Sequence, residues 1–202
     1  MSRCVESVVS RSVMQGATKW FGAAVVTMGI AVAANAAPNL VSNGSFETGD
    51  LTSWVQLGNT GFTGVFCPGS PPATDGNCLA FSGPVGSIGS LAQSLNTLAG
   101  DFYTISFSWG ADSGSNPASF AASFGGNTLF SVANPSTGSV LQTLSFTARA
   151  NAANTTLQFD FRDDPAFLYL DRVSVTVPEP ATLALLGVGL VGLYAGRRRK
   201  LI

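Results

Sequence analysis

The sequence predicts an all-β fold over residues 37–177. This is a two-sheet antiparallel β-sandwich, a jelly roll, flanked by an N-terminal signal peptide (1–36) and a C-terminal segment with a single transmembrane helix (178–202). Three observations carry the prediction. Short segments alternate apolar and polar residues with a period of two. Gly, Pro, Asn, Asp and Ser punctuate those segments. Between the two ends of the chain no helical period persists.

The first 36 residues read as a secretory signal. The apolar run 21–34 follows Lys19 and Trp20 and ends at Ala34-Asn35-Ala36, an A-x-A site. Cleavage by signal peptidase after Ala36 leaves Ala37 as the new N-terminus. The leader before the run is long, and Met14 offers an alternative start. An ordinary core helix is the competing reading, but the run is too uniformly small and apolar for it.

The strands of the body follow by alternation. Tyr103, Ile105, Phe107 and Trp109 share one face, with Thr104, Ser106 and Ser108 on the other. Leu157, Phe159 and Phe161 likewise oppose Gln158, Asp160 and Arg162. The stretch "SFAASFGGNTLFSV" reads as a hairpin turning at Gly125-Gly126-Asn127. Further strands are expected around 40–46, 54–57, 78–81, 91–95, 140–146 and 169–177. About ten short strands separated by turns suit two packed antiparallel sheets. Roughly 140 residues suffice to bury such a core. There is no internal repeat and no second domain.

Charge narrows the function classes. The net charge of -1 hides a split: residues 37–177 hold three arginines (Arg149, Arg162, Arg172) against nine acidic residues, a balance of -6. An acidic body with so few cations argues against nucleic-acid binding, which needs Lys and Arg to neutralise phosphates. The chain has no histidine, so the commonest general base and the commonest metal ligand are missing. The body also lacks lysine and a G-x-S-x-G motif, which leaves its serines without a base to activate them. Asp160, Asp163 and Asp164 cluster in sequence and invite a glycosidase reading, but nothing places two carboxylates across a cleft. No catalytic residue is assigned, and the body reads as non-enzymatic.

Cys67 and Cys78 are the only cysteines left once the leader, with Cys4, is removed. A lone pair in an exported protein reads as a disulfide. It would close "CPGSPPATDGNC", a Pro- and Gly-rich loop with little packing of its own.

The C-terminal stretch begins Val177-Pro178-Glu179-Pro180-Ala181-Thr182 and ends in Arg197, Arg198, Arg199 and Lys200. Residues 181–196 between them are uncharged and Leu-rich. As a helix they span about 24 Å at about 1.5 Å per residue, short of a bilayer core of about 30 Å. The terminal cations would hold that end in the cytoplasm, and the prolines stop the helix from extending backward. This three-part order resembles the PEP-CTERM sorting signal of Gram-negative bacteria. The resemblance implies export across the inner membrane, recognition by an exosortase (a membrane-embedded, transpeptidase-like cysteine protease), removal of the tail near Pro178-Glu179-Pro180, and delivery to the cell surface or extracellular matrix. A short anchor suits a transient stop in the membrane.

A second resemblance covers the body. "NLVSNGSFETGDLTSW", "LAQSLNTLAGDFYTISFSWGAD" and "FRDDPAFLYLDRVSVT" are similar to the opening, central and last strands of galactose-binding-like jelly rolls and carbohydrate-binding modules. In such proteins the last strand is usually written Leu-Asp-Asp-Val; here Arg172 replaces the second Asp. The resemblance implies a structural Ca²⁺ with Glu47 and Asp171 as acidic ligands, a cation that takes six to eight hard oxygens. The competing reading makes Glu47 a turn residue and Asp171 a strand-end cap. Arg172 is expected to point to the opposite face of its strand from Asp171. Extracellular polysaccharide is the partner it implies. Stacking candidates are Phe62 and Phe66, beside the disulfide loop, and Trp54, for which a core position is the competing reading.

Overall fold

The computed structural model describes residues 37–112, 116–178 and 187–190. The expected signal peptide with Ala36, the residues Glu179 and Pro180, and most of the expected transmembrane helix lie outside the described residues. Residues 187–190 are helical. Among the described residues no helix is long and apolar enough to cross a membrane.

Among the described residues, ten strands form two five-stranded sheets. They are β1 (Val55–Gly58), β2 (Thr63–Phe66), β3 (Leu79–Ser82), β4 (Gly89–Asn96), β5 (Phe102–Ala111), β6 (Ala118–Phe124), β7 (Asn127–Ala133), β8 (Gln142–Arg149), β9 (Asn154–Asp163) and β10 (Leu168–Thr176). The first sheet runs β1-β4-β9-β6-β7 and the second β2-β3-β10-β5-β8. Every pairing is antiparallel.

The period-two pattern determines which side chains enter the core. On β5, Tyr103, Ile105, Phe107 and Trp109 are buried; on β9, Leu157, Phe159 and Phe161 are. Rings from the two sheets interlock: Phe107 meets Phe159 edge-on at 5.0 Å, and Trp109 stacks on Phe120 at 4.9 Å. Each fully buried Phe contributes about 1.5–3 kcal/mol relative to exposure. The β6–β7 hairpin turns on Gly125 and Gly126, both at positive φ, as a two-residue primed turn requires. Asn127 already belongs to β7.

The structure departs from the expected strands in three places. Residues 40–46 form no strand. Leu40 N–H donates to Val175 O, and Val173 N–H donates to Gly44 O, but the chain turns between these bonds, with Asn43 and Phe46 at positive φ. The approach to β10 is so close that a Cβ on Gly44 would lie 2.1 Å from Val173 O. The strand β2 was not expected, because its four residues include a glycine and adjoin the disulfide loop. Finally, β10 is irregular at Arg172. The register of β10 against β5 breaks between Asp171 and Ser174. Leu170 and Val173 both belong to the core cluster, so two residues separate successive inward positions. This is the count of a β-bulge, and Arg172 is left exposed at φ 51.

Candidate functional site

The outward residues of the first sheet come from the alternate positions of the core-forming strands. Opposite residues of an antiparallel pair share a face. The register therefore sets Val55, Ala92, Gln158 and Ser123 in one row across β1, β4, β9 and β6, and Leu57, Ser90, Asp160 and Ala121 in the next. Beside the hairpin turn this face sinks into a groove of about 580 Å³, lined by Ser123, Thr128, Asn154, Thr156, Gln158 and Asp160 among others.

Asp160 organises the groove. Its Oδ1 accepts the Ser90 hydroxyl at 2.6 Å and the Gln158 side-chain N–H at 2.7 Å. Its Oδ2 accepts no hydrogen bond from the described residues, and the Asn154 amide and the Thr156 and Ser123 hydroxyls make no side-chain hydrogen bond among them. Donors and acceptors thus stand on rigid strands and face solvent. Val55 and Leu57, on the edge strand, are 56% and 45% exposed and give this face an apolar margin. A row of fixed polar groups beside apolar surface suits a ligand rich in hydroxyls and C–H faces.

The three aspartates clustered in sequence have three different surroundings. Asp160 faces the groove. Asp163 is fully buried. Asp164 pairs with Arg162 at 3.0 Å; that hydrogen bond holds its carboxyl below the usual range against the opposing effect of desolvation, with the Gly86 N–H adding to it.

The disulfide joins Cys67 and Cys78. Glu47 and Asp171 converge on the loop it closes. Glu47 Oε1 accepts the N–H groups of Asn77 and Cys78, both at 2.7 Å. Asp171 Oδ2 accepts those of Thr74 at 2.5 Å and Asp75 at 2.9 Å, and its Oδ1 accepts that of Arg172 at 2.7 Å. Asp171 is fully buried, and burial pushes its carboxyl above the usual range despite these donors. Among the described residues no basic side chain pairs with it, and no three His, Cys, Asp or Glu side chains gather around a metal position.

The aromatic candidates separate. Trp54 is 7% exposed, stacked on Phe46 at 5.6 Å, with its indole N–H on Asn43 O. It is a core residue with no ring face for a sugar, which corrects its place among the stacking candidates. Phe66 stacks on Phe81 at 3.9 Å, and Phe167 meets both edge-on. Phe62 is 69% exposed and pairs with no ring among the described residues. The groove residues Gln158, Asn154 and Ser123 were legible only as the polar sides of strands; nothing in the sequence said which polar side was concave.

The matching family over residues 176–200 is the PEP-CTERM protein-sorting motif. The chain carries an exosortase sorting signal. A protein so marked is exported and sorted to the surface or beyond it. No curated protein matches the chain. Among solved structures it is similar to TmCBM61 in complex with beta-1,4-galactotriose, with 16% identity over 70% of this chain and 99% of that one and a TM-score of 0.55. It is similar to the CBM22-1 xylan-binding domain of Paenibacillus barcinonensis Xyn10C, with 20% identity, 74% and 100% coverage and a TM-score of 0.52. It is also similar to the enzymatically active domain of bacteriophage CBA120 tailspike protein 4, with 15% identity, 69% and 21% coverage and a TM-score of 0.54. At these identities the likeness shows the jelly-roll fold of carbohydrate-binding modules.

Proposed function

We propose that this PEP-CTERM protein is a non-enzymatic, polysaccharide-associated component of the extracellular or biofilm matrix. In this reading an exosortase cuts near Pro178, and the sandwich then holds glycan in the groove of the first sheet. The observation that carries the reading is the row of outward polar groups that the register sets across β9 and β6, on the same face as the exposed Val55 and Leu57 of β1. Two of the similar structures are named for bound galactotriose or xylan, which supports the reading at the level of fold. In the same reading Glu47 and Asp171 would hold a structural Ca²⁺, with backbone carbonyls completing its shell, since among the described residues no third acidic side chain joins them. Bound there, the ion would offset the buried Asp171 charge and pin the disulfide loop.

A glycan array that includes the producer's own matrix polysaccharide tests the reading, with the full chain in non-ionic detergent. Binding is expected. Gln158→Ala should weaken it by about tenfold, as loss of a hydrogen bond in a desolvated site does. An array with no bound glycan ends the polysaccharide reading and leaves a purely structural surface protein.

A further inference from the structure

Of the three arginines in residues 37–177, two are engaged. Arg149 donates Nε–H to Gly100 O at 2.7 Å, and Arg162 donates to Asp164 at 3.0 Å. The guanidinium of Arg172 makes no hydrogen bond or ion pair among the described residues. It lines a second cleft, of about 420 Å³, between the N-terminal segment, the β10 bulge and the disulfide loop. This cleft is distinct from the groove of the first sheet and shares no residue with it.

The backbone presents Arg172 at a cost. Its φ of 51 lies in the left-handed region, which non-glycine residues adopt only when the surroundings over-determine it. The surroundings here are fixed. Asn39, on the cleft wall, donates to Val173 O and accepts the N–H groups of Val41 and Val175. Asn43 donates to Asp50 O and Thr52 O. Both amides are therefore part of the wall. The groups left for a ligand are the Arg172 guanidinium, the Ser45 and Ser174 hydroxyls, and the Asp75 carboxylate.

That set demands a particular chemistry. A guanidinium recognises a carboxylate through paired N–H donors. Asp75 in the same cleft repels a bare anion but accepts hydrogen bonds from hydroxyls. A ligand that satisfies both carries a carboxylate next to neutral hydroxyl donors. We propose that the Arg172 cleft binds the uronic acid units of an acidic polysaccharide, with the carboxylate on Arg172 and ring hydroxyls on Asp75, Ser45 and Ser174. The proposal deepens the polysaccharide reading above by naming a ligand class and a second site.

Titration calorimetry on the full chain in non-ionic detergent tests it, with polygalacturonate, its methyl ester and a neutral glucan as probes. Polygalacturonate should bind and its methyl ester should not. Arg172→Gln should weaken polygalacturonate binding by about tenfold, while Arg149→Gln should leave it within about twofold. Arg172→Gly should lose binding equally while melting no lower than the parent, since glycine accepts the positive φ without strain. Equal binding by Arg172→Gln and the parent overturns the proposal. So does an equal loss in Arg149→Gln, which would mean unspecific charge attraction. Absence of polygalacturonate binding also overturns it. The two readings separate through the neutral glycan found on the array: if Gln158→Ala loses it and Arg172→Gln keeps it, the groove stands whatever polygalacturonate does.

Discussion

Glu47 Oε1 accepts the backbone N–H of Cys78 at 2.7 Å. A carboxylate in the N-terminal turn thus holds one half-cystine of a loop that begins twenty residues later. The same oxygen holds Asn77. Hydrogen bonds to charged groups contribute about 1.5–3 kcal/mol each when buried, and less where water competes. Glu47 is exposed, so Glu47→Ala is expected to cost about 1–2 kcal/mol, read as a lower urea midpoint with unchanged slope. An unaltered midpoint would show that the loop holds its shape without this contact.

The disulfide acts on the same loop by another route. Its half-cystines are 11 residues apart, and closing so short a loop removes about 3 kcal/mol of denatured-chain entropy. Cys67→Ser with Cys78→Ser should lower stability by that order, and reductant should reproduce the loss in the parent. Because Glu47 is useful only while the loop is in place, combining Glu47→Ala with the double serine variant should cost less than the sum. Strict additivity in the cycle would place the two devices in independent parts of the fold.

Tyr169 gives an alkaline signature. Its hydroxyl donates to both oxygens of Asp112 at 3.1 Å. Burial first, then the hydrogen bond and charge of Asp112, push the phenol well above its ordinary value of 10.0. The folded state therefore keeps a proton that the unfolded state releases as pH rises through 10.0. Stability from this group is whole below that pH and declines above it. Urea denaturation at a series of pH values should show the decline in the parent, and Tyr169→Phe should flatten it. Equal slopes in both proteins would refute the assignment.

What the sequence disclosed followed from periodicity. On β5 and β9 one side of each strand meets the opposing sheet, so alternation alone named Phe107, Phe159 and their neighbours as core. It failed where the backbone breaks the period. Phe46 enters the core from a turn at φ 57, and Arg172 is exposed by a bulge, and neither event has a period-two signature. Trp54 was ambiguous because a Trp after a turn suits a core as well as a sugar platform; the rings of Phe46 and Phe159 around it settle the matter. The groove stayed hidden for a different reason. Gln158 and Asp160 were recognised as the polar side of β9, but what makes that side a site is its register with Ser123 and Ser90, from strands far away in sequence.

Asp171 links the disulfide loop to β10. It is a fully buried carboxylate with three backbone donors, a raised affinity for protons, and no basic partner among the described residues. A carboxylate so placed either takes up a proton or is offset by a cation, because a buried charge without compensation is costly. Without metal, stability should fall as pH rises from 3.8 through the raised value, since the folded state binds the proton more tightly than the unfolded chain. Ca²⁺ at Glu47 and Asp171 should remove that fall, because it replaces the proton. It should also raise the melting temperature, by the equivalent of about 2.7 kcal/mol at a hundred times its Kd. Asp171→Asn should abolish both the pH slope and the response to Ca²⁺. Melting curves that coincide in Ca²⁺ and in EDTA, with the pH slope intact in both, would leave Asp171 as a proton-carrying clasp for the disulfide loop and remove the metal.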